Sequence, residues 1–424
     1  MKMKKISLYL LLATGISVAP SCKKDAVAPT TPITPTTVYN DEQNKENLQN
    51  TGLSMMKEMD DAKNLVGIDY TQHFADLVEK ADPFGSNAAF MPMKVLTSLS
   101  VFGETGSTKA LESSLKRGGS EENLNDIYSK RVGEYKWNGK NWIKNTAVKD
   151  KIILRFPSSN TKTVNNASYE ITFVNYTGSG LPDDLKGNVP SRVDAKFIVD
   201  GKTLVQFEFK GVYNTDAIPS LLDAKLSVFP YSFSSTFTNN SSNISKVFAF
   251  KRNDKTLLAM GANIKGKLDK ATIENMVNDE NAEEINKVVK SISAYTQIFD
   301  IIIKGEANVD GIVNDLKGKD EVSKDEQAAT ANKNLKVGVY YVSSGQQIAN
   351  SEFYLKNHTY QDYQYNNNTK QWELVEITDK DLDIRMVFKD GTKADLETYF
   401  NNGFDKLGDE FEKFAQDLEN RYDN

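Results

Sequence analysis

From Ser191 to Lys267 apolar and polar side chains alternate with a period of two, the pattern of strands buried on one face. Val193, Ala195, Phe197 and Val199 alternate with Arg192, Asp194 and Lys196; in the return arm Val205, Phe207 and Phe209 alternate with Gln206, Glu208 and Lys210. Both apolar sets fall on odd positions, so a two-residue turn would throw them onto opposite faces. The pattern therefore predicts an odd loop, Val199-Asp200-Gly201, with Gly201 left-handed, Val193 opposite Phe207 and Ala195 opposite Val205. The same rhythm marks strands at Ile152, Leu154 and Phe156, and at Tyr169, Ile171 and Phe173. Leu222 to Val228 is apolar on even positions and Tyr231 to Phe237 on odd ones, which predicts a bulge at Phe229-Pro230. Ile244, Phe248 and Phe250 return as Leu258, Met260, Ala262 and Ile264 across an odd loop near Asn253-Asp254-Lys255.

Steps of three and four residues take over elsewhere. Residues from about Asn40 to Arg117 read as helical, with Met55, Met56 and Met59 and then Phe74, Leu77, Val78 and Ala81 on one face and Asp82-Pro83 as a stop. Lys270 to Thr296 reads as a helix through Ile273, Val277, Ile285, Val288, Val289 and Ile292. Ile301 to Lys304 is a short strand, Val309 to Leu316 a short helix, and Gly318 to Asn334 an exposed charged loop or domain seam. Val337, Val339 and Tyr341 open a further hairpin, and Leu396, Phe400, Phe404, Leu407, Phe411, Phe414 and Leu418 close the chain as an amphipathic helix. These elements predict an α+β fold, in which twisted antiparallel sheet, open or curled as a half-barrel, is covered by amphipathic helices. The corresponding segments are 41–120 (helical), 131–267 (antiparallel β), 268–332 (helical and loop connection) and 333–424 (second hairpin region with the C-terminal helix).

Two hairpins concentrate aromatic side chains and hold all three tryptophans. In the first, Tyr135, Trp137 and Trp142 flank Asn138-Gly139, a pair suited to a two-residue turn that sets Trp137 opposite Lys140 and Tyr135 opposite Trp142. In the second, Tyr363, Tyr365 and Trp372 flank Asn366-Asn367-Asn368-Thr369, a four-residue loop that sets Tyr365 opposite Lys370 and Tyr363 opposite Trp372. Each is followed by a Lys-Asp pair and an alternating strand, which raises an internal duplication against simple convergence on aromatic cross-strand pairs. These six side chains are the candidate ligand-binding residues, as an aromatic platform for sugar rings; their plainer role is to stabilise the sheet.

The N-terminus changes the picture. Lys2, Lys4 and Lys5 precede an apolar run from Ile6 to Val18, too short to span a bilayer, and the run ends at Ala19-Pro20-Ser21-Cys22. This resembles the lipobox of bacterial lipoproteins, with Ala19 in place of the usual Leu. The resemblance covers the signal region alone and implies a signal peptide over 1–21 and a lipidated Cys22, the chain's one cysteine. Residues 22–40 then form a tether, with Pro29, Pro32 and Pro35 among threonines. The expected location is the outer membrane, on its periplasmic face or at the cell surface, with the lipid anchor as the contact with the membrane. Removal of residues 1–21 leaves 49 basic and 58 acidic side chains, a net charge of −9 that disfavours nucleic acid as a partner. With a single cysteine no intrachain disulfide forms, so the fold rests on core burial.

Little catalytic chemistry is legible. His73 and His358 are the only histidines, and no nucleophile elbow, phosphate loop or dinucleotide fingerprint occurs. Asp379, Asp381 and Asp383 imitate the opening of a calcium loop, but Ile384 stands where that loop needs glycine and Asp390 where it needs glutamate. The expectation is a non-catalytic lipoprotein with no metal and no cofactor, whose sheet binds a hydrophobic ligand or an envelope protein; its layers look like those of periplasmic lipoprotein carriers. The alternatives are a surface glycan-binding accessory of nutrient uptake and a carboxylate-dependent hydrolase. Oligomeric state leaves no sequence signature.

Overall fold

In the computed structural model the described residues are 39–63, 65–84, 123–178, 181, 186–214, 219–268, 272, 285–319, 322–366 and 368–395. The signal segment, Cys22, most of the tether, 85–122 and the C-terminal segment from 396 lie outside them, as do the expectations that fall there. The rest is strand-rich with a minority of helix, an α+β chain. The described residues divide into two compact units, the first within 55–240 and 244–259, the second within 39–54, 241–243 and 260–395.

The first unit contains α2 (Val66–Lys80), α3 (Leu124–Arg131) and strands β1 (Gly133–Trp137), β2 (Trp142–Asn145), β3 (Ile152–Phe156), β4 (Ala167–Asn175), β5 (Pro190–Val199), β6 (Lys202–Tyr213), β7 (Pro219–Val228), β8 (Tyr231–Asn239) and β9 (Asn243–Arg252). Their order is β2-β1-β3-β4-β5-β6-β7-β8-β9. Strands adjacent in this order pair antiparallel with one exception. β1 and β3 run parallel, Gly133 beside Ile152 and Tyr135 beside Leu154, because β2 folds to the outer side of β1 and the chain crosses back. The 131–267 region is thus not wholly antiparallel as its alternation predicts.

The odd-numbered face of β5 and β6 is a solid core. Val193, Ala195, Phe197, Val199, Phe207 and Phe209 are buried, together with Phe74, Leu77 and Val78 from α2. The Phe74 ring lies 4.8 Å from that of Phe156, 5.1 Å from Tyr169 and 6.0 Å from Phe197, so one side chain spans three strands. The opposite face is polar, with Lys151 paired to Glu170 at 2.8 Å and Arg192 paired to Asp194. The β5–β6 register differs from the parity argument. The turn has two residues, Asp200 and Gly201, at φ 48° and 77°, and Val193 faces Phe209, Ala195 faces Phe207 and Phe197 faces Val205. A bulge between Phe197 and Ile198 restores the common face by leaving Leu204 extra; its carbonyl accepts from Phe229 N at 3.0 Å. At Phe229-Pro230, in turn, there is no bulge: a cis peptide forms the turn between β7 and β8. Asn253 and Asp254 likewise form a two-residue turn, into β10 (Lys255–Gly266).

The helix α1 (Asp41–Lys63) contributes to each unit. In the first, Glu58 accepts from Tyr231 Oη at 2.8 Å and from Arg252 at 3.0 Å. In the second, Leu48 is buried with Ile301, Val339, Tyr341, Ile348, Met386 and Phe388, and the Tyr341 hydroxyl bonds Asn44 and Asn47 at 2.9 Å each.

The second unit is built on α4 (Ile285–Val288), β11 (Val289–Ile298), β12 (Ile301–Asn308), α5 (Val309–Leu316), α6 (Lys324–Asn334), β13 (Leu335–Tyr341), β14 (Gln347–Asn366), β15 (Gln371–Phe388) and β16 (Lys393–Asp395). β11 to β16 lie side by side in chain order. Two expectations fail for the 268–332 segment. Val289 to Ile298 is a strand paired with β12 through eight positions from Ser291 to Ile298, not the end of a helix. Ser323 opens a helix, not a loop: its hydroxyl accepts from Glu326 N while Glu326 accepts from Ser323 N, a reciprocal cap.

Candidate functional site

The two aromatic hairpins have opposite fates. In the first, Asn138 Oδ1 accepts from the backbone nitrogens of Lys140 and Asn141, at 3.0 and 2.8 Å, which holds a four-residue loop open in place of the two-residue turn. Trp137 therefore faces Trp142 and Tyr135 faces Lys144, two residues out of step with the expected pairing. Tyr135 and Trp137 are buried, and Trp142 turns its indole N–H to the carbonyl of Ala81 at 2.7 Å. Its three aromatics belong to the core of the first unit. An open depression of about 410 Å³ beside them is lined by Phe84, Lys130, Arg131, Tyr135, Trp142 and Lys144, but its cations are engaged: Lys144 Nζ donates to Lys130 O at 3.1 Å, and Arg131 donates to Ile127 O at 3.4 Å and stacks over Phe84.

The second hairpin is a ribbon. β14 and β15 pair without interruption from Ala349 opposite Phe388 to Asn366 opposite Gln371. β13 reaches only Gln347 to Asn350, and β16 only Arg385 to Val387, so among the described residues the outer part of the ribbon has no strand on either side. At its base the face carrying odd β14 positions is core, with Ala349, Phe353, Met386 and Phe388 buried. A polar belt follows: Asn357 opposite Lys380, Thr359 opposite Thr378 and Gln361 opposite Glu376. Beyond the belt, about 33 Å from Phe353 by strand rise, the same face becomes apolar again. There Tyr363 faces Leu374 and Tyr365 faces Trp372, a register again two residues from the expected one. Tyr363 is 63 % exposed and Trp372 67 %; Tyr365 and Leu374 are about half exposed. The Tyr365 and Trp372 rings meet edge to face at 5.6 Å and 65°.

This patch is built, not frayed. Asn366 Oδ1 accepts from Asn368 N at 2.9 Å, and Glu373 accepts from Asn366 Nδ2 at 2.8 Å and Thr369 Oγ1 at 2.6 Å; these bonds, Asn366 first, hold the Glu373 carboxyl below its ordinary range. Among the described residues, five of the twelve exposed large apolar side chains lie in this ribbon: Tyr360, Tyr363, Tyr365, Trp372 and Leu374. The other seven are scattered, which is ordinary for a protein surface, whereas a local concentration marks an interaction site. Of the six candidate residues the structure thus brings Tyr363, Tyr365 and Trp372 together and sets Tyr135, Trp137 and Trp142 apart as core. Sequence reasoning missed Leu374. It follows Trp372 by two positions and shares its face, a signal that alternation carries.

The three aspartates that imitate a calcium loop share the other face and are neutralised by lysines. Lys324 from α6 reaches Asp379 at 2.6 Å and Asp381 at 3.1 Å, while Lys356 reaches Asp383 at 3.2 Å and Asp395 at 2.9 Å. The Lys324 hydrogen bond is the main cause holding the Asp379 carboxyl below its usual range. Beside them the Tyr354 hydroxyl donates to Asp395, and desolvation first, with that bond, pushes it up to about 12. Among the described residues no group of three metal-ligating side chains forms, and no helix is long and apolar enough to cross a membrane. No family model, curated protein or solved structure matches the chain.

Proposed function

We propose that this protein is an outer-membrane lipoprotein, anchored through Cys22 and without covalent chemistry, that works by docking another envelope protein on the outer part of the β14–β15 ribbon. The carrying observation is the position of Tyr363, Tyr365, Trp372 and Leu374: exposed, clustered, and separated from the core by three polar cross-strand pairs. Side chains that served only the fold have no reason to sit beyond such a belt. Under this reading the sheet of the first unit is the scaffold, curled as a half-barrel around α2. Its filled interior turns the reading from an enclosed hydrophobic ligand toward a surface contact. The lipid and the Pro/Thr tether keep the ribbon near the membrane yet free to reach a partner.

The glycan-binding alternative draws on the same aromatics with Gln361 and Glu376 alongside. The tilt between Tyr365 and Trp372 and the aliphatic Leu374 favour a protein groove over a flat sugar. The test compares wild type with a Tyr363→Ser, Trp372→Ser double variant against solubilised envelope proteins and a polysaccharide panel. The proposal expects one retained protein that the variant loses while its unfolding curve is unchanged. Polysaccharide retention lost in the variant transfers the assignment to glycan binding, and identical behaviour of the two proteins in both arms overturns both readings.

A further inference from the structure

The ribbon has two edges, and they are not equivalent. Asn332 of α6 donates to Phe353 O at 2.7 Å and accepts from Phe353 N at 2.8 Å. The backbone groups of Phe353 therefore point away from β15. Because the β14–β15 register is unbroken, those of Leu355, Asn357, Thr359, Gln361, Tyr363 and Tyr365 point the same way. On β15 the outward positions are the even ones, from Trp372 to Ile384. Side chains identify them independently: Asp379 accepts from Lys380 N, and Asp383 from Ile384 N, each at 2.7 Å.

On β15 that outer edge is guarded. Glu373, Glu376, Asp379, Lys380, Asp381 and Asp383 line it, the array of charge with which proteins discourage edge pairing. β14 is different. From Leu355 to Tyr365 it has no proline or glycine and only Lys356 and Asp362 as fixed charges, among tyrosine, glutamine, asparagine and threonine. Asp362 accepts from Tyr363 N at 2.8 Å; among the described residues no hydrogen bond is made by the backbone nitrogens of Asn357, Thr359 or Gln361 on this side.

We infer that this edge pairs with the same edge of a second copy of the chain, antiparallel about a two-fold at Tyr360, joining two ribbons into a four-stranded sheet. This goes beyond the docking reading and does not depend on it, since the Trp372 face stays open in the pair. The register fits itself. Outward residues meet outward residues, Thr359 with Gln361, Asn357 with Tyr363 and Leu355 with Tyr365, for about ten backbone hydrogen bonds with the two Tyr363 N–H groups left on Asp362. On the opposite face Tyr360 meets its twin at a non-hydrogen-bonded position, where aromatic pairs pack closest. Asp362 meets His358 twice, so each carboxylate faces an imidazole. Pairing the β15 edges in the same manner about Ile377, the residue opposite Tyr360, sets Glu373 against Asp381, like against like.

Sedimentation velocity of the chain across the micromolar range, with two proline variants, decides this. Gln361 and Glu376 are directly opposed and both point their N–H outward, so Gln361→Pro and Glu376→Pro perturb the ribbon equally but block opposite edges. The inference expects a wild-type dimer, a Gln361→Pro monomer and a Glu376→Pro dimer. Oxidation of Tyr360→Cys in a Cys22→Ser background is expected to give a covalent dimer, and Glu376→Cys a monomer. A wild-type monomer throughout the range, a dimer indifferent to Gln361→Pro, or loss of the dimer in Glu376→Pro alone overturns it.

Discussion

Trp142 and Trp372 occupy like positions in like hairpins, yet one indole is bonded to a carbonyl inside the first unit and the other stands in solvent. Truncation separates them. Trp142→Ala removes a packed ring and leaves the Ala81 carbonyl without its donor, an expected loss of about 3 kcal/mol in urea unfolding; Trp372→Ala is expected to stay within about 0.5 kcal/mol of wild type. Equal losses would mean that the tip is part of the fold. Glu352 supplies a pH test at the ribbon base. The Arg385 hydrogen bond first, then that of Lys393, holds its carboxyl below the ordinary 4.5. A depressed carboxylate contributes stability that is present above its unfolded value and is lost as pH falls through its folded one. Wild type is therefore expected to lose more stability than Glu352→Gln on acidification from pH 6 to below 4.5, measured by unfolding at each pH. Parallel losses would contradict this.

At the scale of elements, alternation made most strands legible, because a sheet with one buried face must write its period into the chain. What it could not carry was register. Leu204 looks like any other strand residue, yet as the extra residue of a bulge it replaces an odd loop with a two-residue turn. Asn138 lengthened the first hairpin loop through side-chain bonds, and in the second a loop of the expected four residues starts one position later, because Asn366 is the last residue paired in β14; both aromatic pairings shift by two. Ile285, Val288, Val289 and Ile292 fit helical spacing, but the β-branched and aromatic residues through Tyr295 and Thr296 favoured a strand. α6 escaped because the face it buries is Thr330, Ala331 and Asn334, too small and polar to form a stripe; its Ser-x-x-Glu start was the available signal. This helix also takes the place of a neighbouring strand at Phe353, so Asn332→Ala is expected to cost about 2 kcal/mol, two hydrogen bonds' worth, in chemical unfolding. A change under about 0.5 kcal/mol would remove Asn332 from that role.

For the whole molecule, the two hairpins do not share a topology. β2 ends at Asn145 and β3 returns parallel to β1, whereas β15 continues as one strand from Gln371 to Phe388. That difference weighs against an internal duplication and leaves convergence on aromatic cross-strand pairs as the simpler origin. The candidate site was half legible: the sequence singled out the tyrosines and tryptophans, but only burial separates those that build a core from those that face outward. Anchoring makes a separate prediction. The intact mass of the membrane-extracted protein is expected to begin at Cys22 with acyl chains added, and a free thiol there would contradict it.

The docking claim is tested most directly by a photo-reactive residue in place of Trp372, activated in the intact envelope, with one in place of exposed Ile143 as the comparison. A discrete adduct with one other envelope protein, formed from position 372 and absent from position 143, is the predicted result. No adduct from position 372, or the same adducts from both positions, would contradict the account.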